Sequence, residues 1–222
     1  SRLVQVVKDE IIGTAALRIE YRCSPYHQHS ALYPVIAHLE RALAWRQDET
    51  PEDRLRKLEE TVRPSPLPLA EVVPLLAVLL SLPLPADRYP PLTLTPQRQK
   101  QKTLEALLTW LLVLTEQQPV LFVVEDLHWI DPSTLEFLTL LVEQGPTARF
   151  LTMLTCRPEF QSPWGLRTHL TPIALQRLPQ PQVETMIAQV TGGKALPPTV
   201  LQHVVTKTDG VPLFVEELTK TV

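Results

Sequence analysis

Val120-Leu121-Phe122-Val123-Val124 is an unbroken apolar run, mostly β-branched or aromatic, that ends in two adjacent carboxylates, Glu125 and Asp126. After Gln117, Gln118 and Pro119, such a run fits a strand buried on both faces of a parallel sheet. Open α/β sheets bind ligands beyond the carboxyl ends of their strands, so both acids belong at the mouth of a site. Neighbouring strand residues point to opposite sides. One carboxylate can then hold a magnesium ion or its waters while the other orients an attacking water, the division of labour that nucleoside triphosphate hydrolysis requires. The alternative is a polar strand end, with Asp126 turning the chain.

The flanking pattern supports an α/β fold. Helical spacing covers residues 1–12, 31–45, 52–62 and 97–116, and the second-last of these is so charged that it reads as largely solvated. Strand patterns occupy 16–23, 120–124 and 150–155, the last read as a second buried strand, with a weaker one at 170–175. Helices follow at 133–143, 182–190, 199–208 and 212–219. Strands separated by helices imply βαβ crossovers and a parallel sheet. This gives an α/β core over 1–176, interrupted by a proline-rich insertion at about 63–97, and the start of a small helical domain over 177–222. Within the insertion, loops surround one apolar helix at 69–82. A polyproline docking ligand at Pro90-Pro91 is a weaker alternative.

Composition narrows the function. Lys+Arg 21 against Asp+Glu 24 gives a net charge of −3, without the basic excess of a non-specific nucleic-acid or anionic-membrane binder. Prolines within the most apolar stretch leave no run near the ~20 residues of a membrane span. Pro 23 against Gly 6 means that turns are made mostly without glycine. Two cysteines, Cys23 and Cys156, allow one disulfide at most, and with no secretory signal pattern the expected setting is cytoplasmic. The chain starts directly in an amphipathic pattern at Ser1, as expected of a piece of a larger protein.

The stretch 121–138, with Leu127-His128-Trp129-Ile130-Asp131-Pro132-Ser133 at its centre, resembles the Walker B segment of the STAND class of signalling ATPases. That AAA-like P-loop domain occurs in multidomain class III adenylyl or guanylyl cyclases and in LuxR-type transcription regulators. Arg22-Cys23-Ser24-Pro25-Tyr26-His27-Gln28-His29-Ser30-Ala31-Leu32-Tyr33-Pro34-Val35 is similar to the segment after the second strand in the cyclase-linked members. Leu154-Thr155-Cys156-Arg157-Pro158-Glu159-Phe160 resembles the sensor 1 strand end, and Asp209-Gly210-Val211-Pro212-Leu213 the Gly-x-Pro motif.

The resemblance implies a P-loop NTPase core whose first strand and P-loop lie upstream, followed by a helical lid. It implies ATP and magnesium as ligands, with Glu125 as the partner of the ion and Asp126 as the water-activating residue. The order Glu-Asp departs from the family's Asp-Asp or Asp-Glu, and the reverse assignment stays open. Arg157 would approach the terminal phosphate, the alternative being a pair with Glu159. Pro212 would pack near the adenine. No Gly-x-x-x-x-Gly-Lys-Ser/Thr run exists here, and Gly192-Gly193-Lys194 lies in the helical tail before Ala195. Ser1 would close the upstream loop, its hydroxyl reaching magnesium.

The resemblance thus implies a switch in which ATP bridges core and lid and slow hydrolysis to ADP resets the state, regulating neighbouring output and helical-repeat domains, with homo-oligomers possible. A degenerate, non-hydrolysing scaffold or oligomerisation module is the competing class. Two further readings are weaker. Cys23, His27 and His29, with Cys156 or His128 as a fourth ligand, are thin support for zinc. His128 beside Asp126 and Ser133 lacks the elbow of a nucleophilic triad.

Overall fold

A computed structural model describes residues 2–144, 147–165 and 167–222. The chain divides into two compact units, Ser1–Arg167 and Thr168–Val222.

In the first unit the strands β1 (Leu17–Arg22), β2 (Val120–Glu125) and β3 (Phe150–Leu154) form a parallel sheet in the order β1-β2-β3. The register pairs Leu17 with Val120 and Arg22 with Glu125, so β1 and β2 end level. All of β2 is buried, as its unbroken apolar run requires. Helix α1 (Arg2–Glu10) covers one face through Val4, Val7 and Ile11 against Leu121, Val123 and Met153. On the other face Tyr21 meets Phe122 edge-on at 4.9 Å between ring centres and approaches His38 and Phe137. Those last two residues belong to α2 (Tyr33–Ala42) and α6 (Pro132–Gln144). Helices on both faces of a parallel sheet make the expected α/β core, with right-handed crossovers as the default connection.

Between β1 and β2 the chain also builds α3 (Pro51–Val62), α4 (Leu69–Leu79) and α5 (Pro96–Gln117). The proline excess has a structural reason. Pro51, Pro96, Pro132, Pro198 and Pro212 each open a helix, where a fixed φ helps and the missing N–H is no loss. The charged α3 is not largely solvated as expected. It buries Leu55, Leu58 and Val62, and Glu59 beside them, whose Oε1 accepts from Arg88 and Tyr89 of the proline-rich segment. A carboxylate with two donors can be buried where an unpaired one cannot.

Two strand expectations need correction. Among the described residues β3 pairs with β2 alone, and Leu151 is 55% exposed, so β3 is not the buried strand expected. The alternation at 170–175 forms no strand: Ile173 and Leu175 are 78% and 71% exposed, with Pro172 removing a ladder donor.

The second unit packs α7 (Gln180–Val190), α8 (Pro198–Thr208) and α9 (Pro212–Lys220) around Val183, Ile187, Val204 and Val215. Gly210 takes φ +68° between α8 and α9, and Leu178 N–H donates to its carbonyl at 2.8 Å. A Cβ there would stand 2.3 Å from the Leu178 carbonyl oxygen. Among the described residues no helix is long and apolar enough to cross a membrane.

Candidate functional site

Parallel strands put all their carboxyl ends on one edge, and backbone hydrogen bonds lace these ends together. Cys23 N–H donates to Glu125 O at 3.0 Å, Thr155 N–H to Val124 O at 2.9 Å, and Leu127 N–H to Thr155 O at 2.9 Å. Asp126 N–H donates to the Thr155 hydroxyl oxygen at 3.1 Å. The edge therefore gathers Cys23, Glu125, Asp126 and Thr155, with Cys156 and Arg157 following directly.

The two acids occupy different environments. Glu125 is buried, with Lys8 Nζ of α1 at 3.6 Å and Arg22 Nη2 at 3.9 Å from its Oε1. Lys8 is buried as well and also pairs with Glu20 at 2.7 Å. Asp126 is exposed and sits at φ 63°, ψ 44°. The left-handed region costs an L-residue roughly 1–2 kcal/mol, least for Asn, Asp and Gly, and the strain here lies where β2 ends and the short 3₁₀ turn Leu127–Trp129 begins. Arg157 is exposed and places its Cζ 6.0 Å from the centre of the Trp129 ring, and among the described residues no ion pair joins it to Glu159.

Asp131 caps α6 and also reaches the loop after β1. Its Oδ1 accepts from Ser133 and Thr134 N–H of α6, and its Oδ2 from the Thr134 hydroxyl at 2.5 Å. Leu32 N–H also donates to Oδ1 at 3.0 Å. Burial, then the charges of Asp131 and Asp126, push the Cys23 thiol up to about 12, so it stays protonated. Both cysteines are free, Cys23 buried and Cys156 exposed. His27 stacks on Tyr33, and among the described residues no three His, Cys, Asp or Glu side chains are grouped to hold a metal. A magnesium site of one or two carboxylates completed by phosphate and water needs no such group.

Pro212 is exposed at the first turn of α9 in the second unit. Ser1 lies outside the described residues. Gly192 and Gly193 form the exit turn of α7 and have φ of 64° and 83°. Three residues at this edge escape sequence reasoning: Thr155, Lys8 and Arg22. A polar residue closing an apolar strand was the available signal for Thr155. Nothing in the local sequence marks Lys8, which is one charged residue on an amphipathic helix.

Similarity to known proteins agrees with this geometry. The uncharacterized protein R02095 of Rhizobium meliloti (strain 1021) is 30% identical over 131 residues, covering 55% of this chain and 12% of that protein. The chain thus spans only a small part of that relative's length. No solved structure matches it. Residues 1–154, more than half of the chain, match the family model described as AAA ATPase domain. With its parallel sheet and acid-tipped central strand, the chain belongs to the AAA ATPase domain family.

Proposed function

We propose that this chain is the ATP-binding switch of a larger STAND-type signalling protein, a cyclase or a transcription regulator, and that it hydrolyses ATP slowly. One observation carries the reading: a fully buried central strand delivers Glu125 and Asp126 to an edge that also holds Thr155 and Arg157. The donor set suits magnesium and a triphosphate, since it offers hard carboxylate oxygens beside an uncommitted guanidinium over an indole.

In this reading Glu125 is the inner, desolvated acid and serves the ion, while Asp126, turned outward by its left-handed backbone, takes the proton of the attacking water. When bound, magnesium would supply neutralisation of phosphate charge. Thr155 holds the Asp126 backbone in register, and Arg157 meets the phosphate charge that develops away from the sheet. In the same reading Ser1 closes the phosphate loop upstream, Pro212 serves the base, and the stretches 1–176 and 177–222 carry the roles of core and lid.

A second reading is a non-hydrolysing scaffold. The Lys8–Glu125 pair favours it, because an acid already balanced by a buried ammonium has less to offer a cation.

Titration of a fluorescent ATP analogue with magnesium separates the two, run on this chain and on a version extended upstream through the phosphate loop. Tight binding in the extended protein with slow phosphate release supports the switch. Binding without any release, or no binding in either version, overturns the switch and supports the scaffold.

A further inference from the structure

The loop after β1 builds a second concave feature. A cavity of about 250 Å³ opens between the end of β1 and the first turns of α2, lined by Arg22, Ser24, His27, Tyr33 and Arg41 among others. No carboxylate is among the described residues that line it, although the chain as a whole carries a net charge of −3. We infer that this cavity binds a small oxyanion of the phosphate or phosphomonoester class.

Arg41, His27 and Ser24 are positioned by contacts that leave donor groups free to face the cavity. Arg41 donates from Nε to the Ala37 carbonyl and from Nη2 to the Glu20 carbonyl, both at 3.0 Å. These are neutral acceptors, so they fix the guanidinium and leave its positive charge uncancelled. Arg22 has its side chain 77% exposed and stands 3.9 Å from Glu125, at the outer limit of an ion pair. His27 is clamped by its stack on Tyr33, with ring centres 3.5 Å apart and planes 10° from parallel. Ser24 Oγ accepts from Tyr26 N–H at 3.4 Å, which leaves its O–H to donate.

Two guanidinium forks, an imidazole and a hydroxyl around one concavity form a donor set that matches a tetrahedral oxyanion. Size decides what enters. Sites for drug-sized ligands occupy about 300–1,000 Å³, so this cavity takes an anionic group with a small body, not a whole nucleotide. The inference does not depend on ATP binding at the sheet edge. The two places share one cation, however: an anion in the cavity competes with Glu125 for Arg22.

The test is a titration of the chain with inorganic phosphate and, in a second arm, glycerol 2-phosphate, followed by NMR of the His27 ring and the arginine Nε–H groups. Saturable shifts of His27, Arg22 and Arg41 are expected, with Arg22→Gln and His27→Gln each weakening the affinity, the former about tenfold. Both variants change exposed or half-buried side chains, and circular dichroism checks that they fold. Tighter binding of the ester identifies a phosphomonoester ligand, and tighter binding of phosphate identifies the free ion. No saturable shift at millimolar anion would overturn the inference. So would loss of binding in Arg157→Gln with Arg22→Gln unaffected, which places the anion at the sheet edge.

Discussion

Leu32 N–H donates to Asp131 Oδ1 at 3.0 Å across 99 positions of sequence. Leu32 stands at φ 57° immediately before α2, and the same carboxylate caps α6. One buried acid therefore locks together the loop after β1 and the loop after β2, the two loops that frame the carboxyl edge of the sheet.

Removing that lock destabilises the first unit. Asp131→Ala orphans three backbone amides and a hydroxyl and frees the strained Leu32, at an expected loss of about 3 kcal/mol. Asp131→Asn keeps the acceptor oxygen and loses less. Urea unfolding of both variants measures this; equal stability of Asp131→Ala and parent would contradict the role.

Asp126→Asn probes the chemistry with little disturbance of the fold, because Asn also tolerates the left-handed region that Asp126 occupies. In the upstream-extended protein, phosphate release is expected to fall about 10²-fold or more while ATP binding is retained. Turnover equal to the parent's would remove Asp126 from its proposed role.

Gly210→Ala must place a methyl against the Leu178 carbonyl, at a backbone angle that disfavours it. The expected result is a loss on the order of 2 kcal/mol confined to the second unit. Hydrogen exchange should rise in α7, α8 and α9 and stay unchanged in β2.

The two thiols should differ in reactivity. Cys156 is exposed, whereas Cys23 is buried and its thiol is pushed up to about 12. Iodoacetamide at neutral pH is expected to label Cys156 in the native chain and Cys23 only after denaturation, as read by peptide mass spectrometry. Native labelling of both would show that the loop after β1 opens readily.

Burial, followed by the charge of Arg41 and against the pull of Glu20, lowers His38 to about 4. An unfolded histidine titrates near ~6.5. Both states are neutral above that pH. As pH falls from there through about 4, the unfolded chain takes up a proton that the folded chain refuses, so stability is lost on acidification. Between pH 7 and pH 5 the His38 share is on the order of 2 kcal/mol. Urea midpoints at pH 7 and pH 5 should converge in His38→Gln relative to the parent; an unchanged difference would assign the loss to other groups.

Much of the architecture was legible because local physics and tertiary packing agree. The apolar run 120–124, bounded by Pro119 and two carboxylates, fits a strand buried on both faces, and β2 is buried throughout. The exposure of β3 was not legible, since apolar residues look alike whether one or two strands flank them. The buried face of α3 was hidden too, because Glu59 counts as a solvated charge until Arg88 and Tyr89, distant in sequence, arrive beside it.

The sequence by itself determined that a parallel α/β sheet forms and that two carboxylates cap its central strand, since periodicity and strand ends are local properties. Only the tertiary structure decided which acid is buried. Lys8 and Arg22 reach Glu125 from α1 and β1, while the left-handed turn at Asp126 sends the next carboxylate to solvent. Desolvation and charge pairing depend on groups brought together through space, and no stretch of chain around Glu125 contains that information.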